Sequence, residues 1–403
     1  DIVIINRHDY IEGIAPFIGQ PLVKILSGVR RCGKSTIFEM LKEKLLASGI
    51  EKKCIISKRY TDMDIAQNIT AKQMYDELVC ESKDNEYSYL ILDEIQEISG
   101  WEKVVNSLLE KGNFDIYVTG SNSKLMSSEI STYLTGRYVQ IPVYTLSFRE
   151  YLQFKSKSQL SKRELLNEYI RFGGFPIVAL NEYESNAAYQ IVNGIYYTVV
   201  SRDIVNRHRI HKQELFDRVV KYVVENTGKT FSANSISKFL KSENRQLSNE
   251  SIYNYLRWLE QAFIIYPCRR YDLQGKNILK TQEKYYLADI SLKYALFGYN
   301  RNMLDAVMEN IVYLELKRRG YDVYVGKLGT KEIDFVAILR DEKIYVQVCV
   351  QLPENSDRET SNLKDIQDNY PKYVVTLNDL DVGNDEGIKI VHLQDFLLQD
   401  RWI

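Results

Sequence analysis

A chain of 403 residues is longer than one hydrophobic core usually serves, so two or three domains are expected. With 45% hydrophobic and 27% charged residues the composition is that of a soluble globular protein, and a formal net charge of −1 excludes a global field that gathers nucleic acid. Cysteines at 32, 54, 80, 268 and 349 and four scattered histidines show neither a disulfide framework nor metal-ligand spacing, no apolar run approaches the ~18–20 residues of a membrane span, and the opening DIVIINRHDY lacks a signal-peptide pattern, so the expected location is a reducing cytoplasm with no membrane partner.

Residues 1–150 alternate strand and helix patterns. Leu22–Ser27 is a short apolar run, and Lys34–Ala47 is helical through Ile37, Leu41 and Leu45. Between them stands GVRRCGKS, Gly28–Ser35, the pattern G-x-x-x-x-G-K-[ST] in the strand-to-helix setting it requires. Gly28 and Gly33 let backbone N–H groups wrap phosphates without a Cβ clash, and the helix N-terminus adds partial positive charge. Arg31, Cys32 and Thr36 belong to the same cradle. Lys34 is expected to reach the β- and γ-phosphates of ATP, and Ser35 to ligate Mg²⁺.

Cys54–Ser57 is a weaker strand, and Tyr89–Ile95 (YLILDEI) is a strong one. The latter delivers Asp93 and Glu94 to the strand's C-terminal end, the edge where open parallel sheets bind ligands. Asp93 is expected to hold the Mg²⁺ shell, directly or through water, and Glu94 to polarise the attacking water. Trp101–Leu109 reads as a helix with Val104, Val105, Leu108 and Leu109 on one face. Strand Ile116–Thr119 closes in Gly120-Ser121-Asn122, where Ser121 or Asn122 is placed to sense the γ-phosphate or orient the water. Arg137 in LTGRYV is the first candidate for an arginine finger offered to a neighbouring subunit, ahead of Arg30, Arg31 and Arg171. Strands alternating with helices mean a parallel sheet covered on both faces.

Residues 151–212 read as a Tyr-rich helical lid or connecting region, interrupted by a turn at GGFP, Gly173–Pro176. Residues 213–300 give three short helical patterns and then the strand Phe263–Pro267. In the third helix Ile252, Leu256, Leu259 and Phe263 form a buried stripe, with Ser251, Asn254, Arg257 and Trp258 opposite. This reads as a winged helix whose wing carries Arg269, Arg270, Lys276, Lys280 and Lys284. Residues 202–284 hold 16 Lys/Arg against 9 Asp/Glu, whereas 341–403 hold 6 against 13, so the middle of the chain is where an anionic partner is expected. His208 and His211 fall in the basic stretch RHRIHK and read as a solvated or phosphate-facing patch. Residues 301–403 begin with a helix from Met308, followed by strands Tyr321–Val325, Ile333–Leu339 and Ile344–Val350. Linkers are expected at Asn300–Asp305 and Leu352–Ser361.

Taken together, GVRRCGKS, LDEIQ with Trp101, TGSNS, LTGRYV, LSFREY, GGFP, RDIVNR, ENIVYLELKRRGYDVYVGK and EIDFVA resemble a family of bacterial and archaeal predicted ATPases of the AAA+ superfamily. The resemblance implies an AAA-type P-loop domain over 1–150, a winged helix, and an α/β domain similar to the PD-(D/E)xK (restriction-endonuclease-like) nuclease fold over 301–403. A nuclease of that fold needs carboxylates and a lysine around Mg²⁺. Asp334 fits the first acidic position, and Glu309 or Glu315 the helix carboxylate. Gln347 and Cys349, however, stand where a carboxylate and the lysine belong, so the domain is expected to be degenerate, with Lys331 or Lys343 as lysines that could migrate into the site. The expected function is an oligomeric ATPase using ATP and Mg²⁺ that couples nucleotide state to contact with DNA through 202–284 or with a protein partner. The alternatives are a nucleotide-dependent signalling switch without DNA and an ATP-dependent nuclease.

Overall fold

Five short runs with apolar centres become strands: β1 (Val23–Ser27), β2 (Ile55–Arg59), β3 (Ser88–Asp93), β4 (Phe114–Gly120) and β5 (Tyr138–Pro142). The computed structural model describes residues 7–61, 68–126 and 132–402. Every residue of β1 and of β4 is buried, as strands covered on both faces require. All pairings are parallel, in the order β2-β3-β4-β1-β5. The C-terminal ends of β1, β3 and β4 therefore open on one edge, from which the loop into the helix Lys34–Ala47 departs.

The opposite edge carries a device the sequence pattern hides. Lys24, inside the apolar run, and Asp115 are both fully buried and paired. The ammonium also donates to the Gln20 carbonyl (3.0 Å), while Asp115 Oδ2 accepts from the Tyr117 hydroxyl (2.6 Å) and the Gly19 N–H (2.9 Å). A buried ion pair is tolerable when its remaining lone pairs are satisfied in this way.

The chain divides into two compact units, Asp1–Val143 with Gln261–Phe263, and Tyr144–Glu260 with Ile264–Ile403. The second unit opens with helices Phe148–Phe154, Lys162–Phe172 and Ser185–Thr198, the last running into a π-helical stretch, Val199–Asn206. Helices Gln213–Glu225, Ala233–Ser242 and Asn249–Gln261 follow, then strands β6 (Ile265–Asp272) and β7 (Asn277–Leu287). After the helix Leu304–Arg318 come β8 (Asp322–Leu328), β9 (Lys331–Leu339), β10 (Glu342–Val348), β11 (Lys372–Thr376), β12 (Gly383–Asp385) and β13 (Ile388–His392).

The strands of this unit form one mixed sheet, β12-β13-β11-β10-β9-β8-β6-β7. The expected separation at 300/301 thus falls within a continuous sheet, because β6 pairs with β8 in parallel through Arg270–Asp272. Tyr286, Tyr313, Phe335, Val346, Tyr373 and Phe396 share one core, so residues on both sides of position 300 bury each other. The expected linker at Asn300–Asp305 is a 3-10 turn leading directly into Leu304–Arg318.

GGFP is fixed from a distance. Gly173 takes φ 75, and a Cβ there would lie 1.9 Å from Asp289 Oδ1. The Gly174 N–H donates to Asp289 Oδ2 (2.8 Å), and the Ser291 N–H donates to Oδ1 (3.0 Å). Gly173 is required by this close approach to a buried carboxylate, and Gly174 by the Leu146 backbone, whose carbonyl oxygen would lie 2.5 Å from a Cβ.

Candidate nucleotide site

The site is built where β1 gives way to the helix Lys34–Ala47. A Cβ on Gly28 would stand 2.1 Å from the Val143 carbonyl oxygen, so only glycine lets the loop leave the strand here. Arg31 (φ 69) and Gly33 (φ 104) are left-handed. Such residues within a short loop curl successive N–H groups into an anion-binding concavity. Cys32 is buried beneath the loop, with its carbonyl accepting from Arg7 Nη1 (2.7 Å). Arg7 is only 2% exposed and packs over the Tyr10 ring at 4.6 Å. Sequence reasoning passed over Arg7, because a lone arginine ahead of the first strand has no linear signature.

Lys34 is buried inside the loop, its ammonium donating to the carbonyls of Gly28 (2.8 Å) and Val29 (3.0 Å). Ser35 Oγ donates to Asp93 Oδ2 at 2.6 Å. The same oxygen accepts from Arg59 Nε (3.1 Å), whose residue is the register neighbour of Asp93 across β2 and β3. Asp93 Oδ1 accepts from Thr119 Oγ1, and that hydroxyl accepts the Glu94 N–H (2.9 Å). Strands β2, β3 and β4 are thus tied together at their C-terminal ends through one carboxylate. Arg59 and Thr119 went unread in the sequence because their roles depend on strand order.

Glu94 takes the left-handed conformation (φ 55, ψ 47), which ends β3 and turns its side chain away from that of Asp93. Its carboxylate accepts from Ser121 Oγ (3.0 Å) and from Gln96 Nε2. Burial works to raise its pKa, but the charges of Lys34 and Arg30 and these two hydrogen bonds outweigh burial and hold it below the ordinary glutamate value. Asn122 is 2% exposed, and its Oδ1 accepts the Lys124 N–H (2.8 Å). Its Nδ2 has no hydrogen-bond partner among the described residues. A buried donor left alone costs about 1–3 kcal/mol. Ser121, the sequence alternative to Asn122, is already committed to Glu94.

The phosphate-loop residues, Asp93, Glu94 and Asn122 converge on one sheet edge, and Arg30 is buried beside Glu94. Arg31 and Thr36 are exposed at the loop and the first helical turn. Arg137 is not brought to this edge. Its carbonyl accepts the Val23 N–H at the start of β1, about 13 Å of strand from Ser27 at ~3.3 Å per residue. Its guanidinium bonds Asn106 Oδ1 (2.9 Å) and pairs with Glu110 (3.5 Å). Arg171 belongs to the second unit, 4.8 Å over the Tyr299 ring.

The basic middle stretch is also rearranged. His208, expected to face solvent or phosphate, stacks on Trp258 at 4.2 Å, and Trp258 packs on Tyr255. Trp258 therefore leaves the outer face of its helix, where Tyr253 stands 61% exposed instead. Lys284, expected on a wing, is buried against Glu309 and Glu332. Arg269 and Lys276 are exposed, and the Lys280 side chain lies outside the described residues. Among the nuclease-like candidates, Glu315 is taken by Arg318 and Arg319, Lys331 pairs with Asp365, and Lys343 lies over Tyr370. Cys349 is buried, and Gln347 is bonded to Asp334 and Glu359.

This sheet order, loop and strand-end acid pair define an AAA-type P-loop protein, a nucleotide-binding class. Residues 20–152 match the family model described as AAA domain, and residues 163–302 match Domain of unknown function (DUF8612). The chain belongs to the family of an uncharacterized protein of Haemophilus influenzae, to which it is 37% identical over 400 residues, 98% of this chain and 99% of that one. An uncharacterized protein of Methanocaldococcus jannaschii is 32% identical over 397 residues, 93% of this chain and 85% of that one. Among solved structures, the Walker-type ATPase paby2304 of Pyrococcus abyssi shares the fold with a TM-score of 0.51 at 12% identity, covering 73% of this chain and 96% of that one. Among the described residues no helix is long and apolar enough to cross a membrane.

Proposed function

We propose that the protein binds ATP with Mg²⁺ and hydrolyses it, using Glu94 as the group that takes a proton from water. The observation that carries this reading is the convergence of Ser35 Oγ and Asp93 Oδ2 at 2.6 Å beneath a left-handed glycine loop. Two hard oxygens, a lysine and a curled backbone make the donor set that a magnesium phosphate requires. When bound, the metal would neutralise charge on the phosphates, with Ser35 and Asp93 as its holders. The chain's own work is then orientation. Lys34 turns from the Gly28 and Val29 carbonyls to phosphate, Asn122 Nδ2 supplies a donor to the terminal phosphate or the water, and Ser121 and Gln96 fix the Glu94 carboxylate. Glu94 stays ionised at neutral pH because Lys34 and Arg30 favour its charge, as a proton acceptor must. The test is nucleotide binding and steady-state hydrolysis on Lys34→Ala and Glu94→Gln. Wild-type turnover in Glu94→Gln would overturn its role.

The protein is further proposed to self-associate and to couple nucleotide state to a partner through residues 202–284. Helices Gln213–Glu225, Ala233–Ser242 and Asn249–Gln261 with the β6–β7 hairpin support a winged-helix reading. On the last helix Tyr253 and Arg257 are exposed, and Lys238, Lys241, Arg269 and Lys276 add surface charge nearby in sequence. An aromatic ring among cations suits DNA. Binding that weakens steeply with salt and is lost in Arg257→Ala/Arg269→Ala would support it. A protein partner is the second reading, favoured by the inward packing of His208, Trp258 and Lys284, which reduces the outward positive face. The 301–403 part is proposed to be nuclease-like without nuclease activity.

A further inference from the structure

One set of charged side chains in the second unit plays no part in nucleotide chemistry. Lys284 on β7 is 5% exposed, and its Nζ lies 2.6 Å from Glu332 Oε1 and 3.6 Å from Glu309 Oε1. Glu309 Oε1 also accepts from the Tyr286 hydroxyl. Glu332 and Asp334 are two apart on β9 and so lie on one face of the sheet. Asp334 Oδ2 accepts the Val348 N–H (2.8 Å), and the Asp334 N–H donates to Gln347 Oε1 (2.6 Å). Gln347 Nε2 in turn donates to Glu359 (3.2 Å). Glu309, Glu332 and Asp334, from one helix and one strand, thus gather round a single ammonium, and Glu359 is joined to Asp334 through Gln347.

Partly buried anions brought this close together are costly unless a cation sits among them. Burial, and then the charge of Glu309, push the Asp334 carboxyl up to about 7 although Lys284 opposes this. Burial and the charge of Asp334 likewise push Glu359 up to about 7. Burial works against the charged form of Lys284, but Glu309, Asp334 and Glu332 together hold its pKa above the ordinary value. The cluster demands positive charge, and what meets the demand is a side chain delivered from the hairpin, far from these acids in sequence.

We infer that Lys284 is the resident cation of this carboxylate cluster, its ammonium standing where the same acids would otherwise draw in a divalent ion. This cluster therefore needs no metal and takes none while Lys284 is in place. The inference stands on the position of Lys284 and holds whether or not the unit is nuclease-like. The Glu332 side chain, 38% exposed, provides an entry route once the lysine is removed.

Thermal unfolding without nucleotide, in a Lys34→Ala background that silences the phosphate site, tests this with Mn²⁺ as the probe. In the parent, about 1 mM Mn²⁺ leaves the Tm unchanged. Lys284→Met lowers the Tm by about 5–10 °C, because it leaves buried like charges unpaired, and Mn²⁺ recovers part of the loss. Adding Glu309→Gln to Lys284→Met recovers Tm without metal and removes the Mn²⁺ response. The double variant is the safeguard should Lys284→Met alone fail to fold, since the inference requires the double variant to be the more stable. The inference is overturned if Mn²⁺ shifts the parent as much as the variant, or if Glu309→Gln brings no recovery. Mn²⁺-dependent DNA cleavage by the parent that requires Lys284 would overturn it too, by making Lys284 a catalytic residue.

Discussion

Each unit places carboxylates, buried in the first and partly buried in the second, near a buried lysine, yet the two arrangements serve opposite ends. At the phosphate loop, Lys34 is held by two backbone carbonyls, and Glu94 is bonded by the neutral donors Ser121 and Gln96. The positive charge is close enough to lower the Glu94 pKa but is not consumed by it. In the second unit Lys284 is paired directly with Glu309 and Glu332, and Asp334 is left half-neutralised. A lysine that bonds carbonyls can be handed to a phosphate, whereas one that bonds carboxylates is spent. The groups that occupy the ammonium, more than its burial, therefore separate a site that can work from one that holds a fold together.

The largest expected effect breaks the first half of this contrast. Lys34→Ala should weaken nucleotide binding by about 100-fold or more, roughly 2.7 kcal/mol at ~1.4 kcal/mol per decade, as read by fluorescent-nucleotide titration. Binding within threefold of wild type would show that Lys34 stays with its carbonyls. Glu94→Gln should retain binding while turnover falls by about 100-fold, the lower range for losing a positioned base.

Asp334→Asn sharpens the second half through pH. A carboxyl whose folded pKa is raised to about 7 favours folding while protonated, and this contribution fades as pH rises from the unfolded value through about 7. The wild type should therefore lose stability across that window, and Asp334→Asn should flatten the loss. At pH 8 the variant should be more stable by roughly 1–3 kcal/mol, allowing for coupling to Glu309, and near pH 4 it should match wild type. Urea melts at the two pH values decide; equal slopes for both proteins would refute the shift. The smallest effect concerns Arg137. Mixing Arg137→Ala with Lys34→Ala subunits should restore a part of hydrolysis if this arginine serves a neighbour's nucleotide. Its exposed tie to Glu110 is worth only about 0–1 kcal/mol and would release easily. No recovery, with both variants associated, would remove it from the reaction.

What could be read from the sequence follows from how local the cause is. The glycine loop, Lys34, Ser35, Asp93 and Glu94 were legible because strand, turn and helix are contiguous there. Thr119, Arg59 and Arg7 were not, since they reach the site only after the strands take the order β2-β3-β4-β1-β5. Lys284 was misplaced for a related reason. A basic residue beyond a hairpin reads as a solvent-facing wing, and nothing nearby in sequence announces Glu309 or Glu332. The charged neighbours of His208 suggest a solvated or phosphate-facing ring, yet that ring stacks on Trp258 fifty residues later. The boundary at 300/301 came from a change in pattern, and the pairing of β6 with β8 crosses it.

The tethers of the second unit also set an order of events during synthesis. Helix Phe148–Phe154 is held through Arg149 to the Leu398 carbonyl and Asp400, and Lys162–Phe172 through Arg163 to Asp379. The GGFP turn waits for Asp289. Residues 20–143 can complete their sheet as they leave the ribosome, but the helices that follow emerge more than two hundred residues before the groups that anchor them. At ~5–20 residues per second that gap lasts on the order of ten seconds or more, during which their apolar faces are open to chaperones. A stop codon in place of residue 379 would accordingly loosen the beginning of this unit as much as its end.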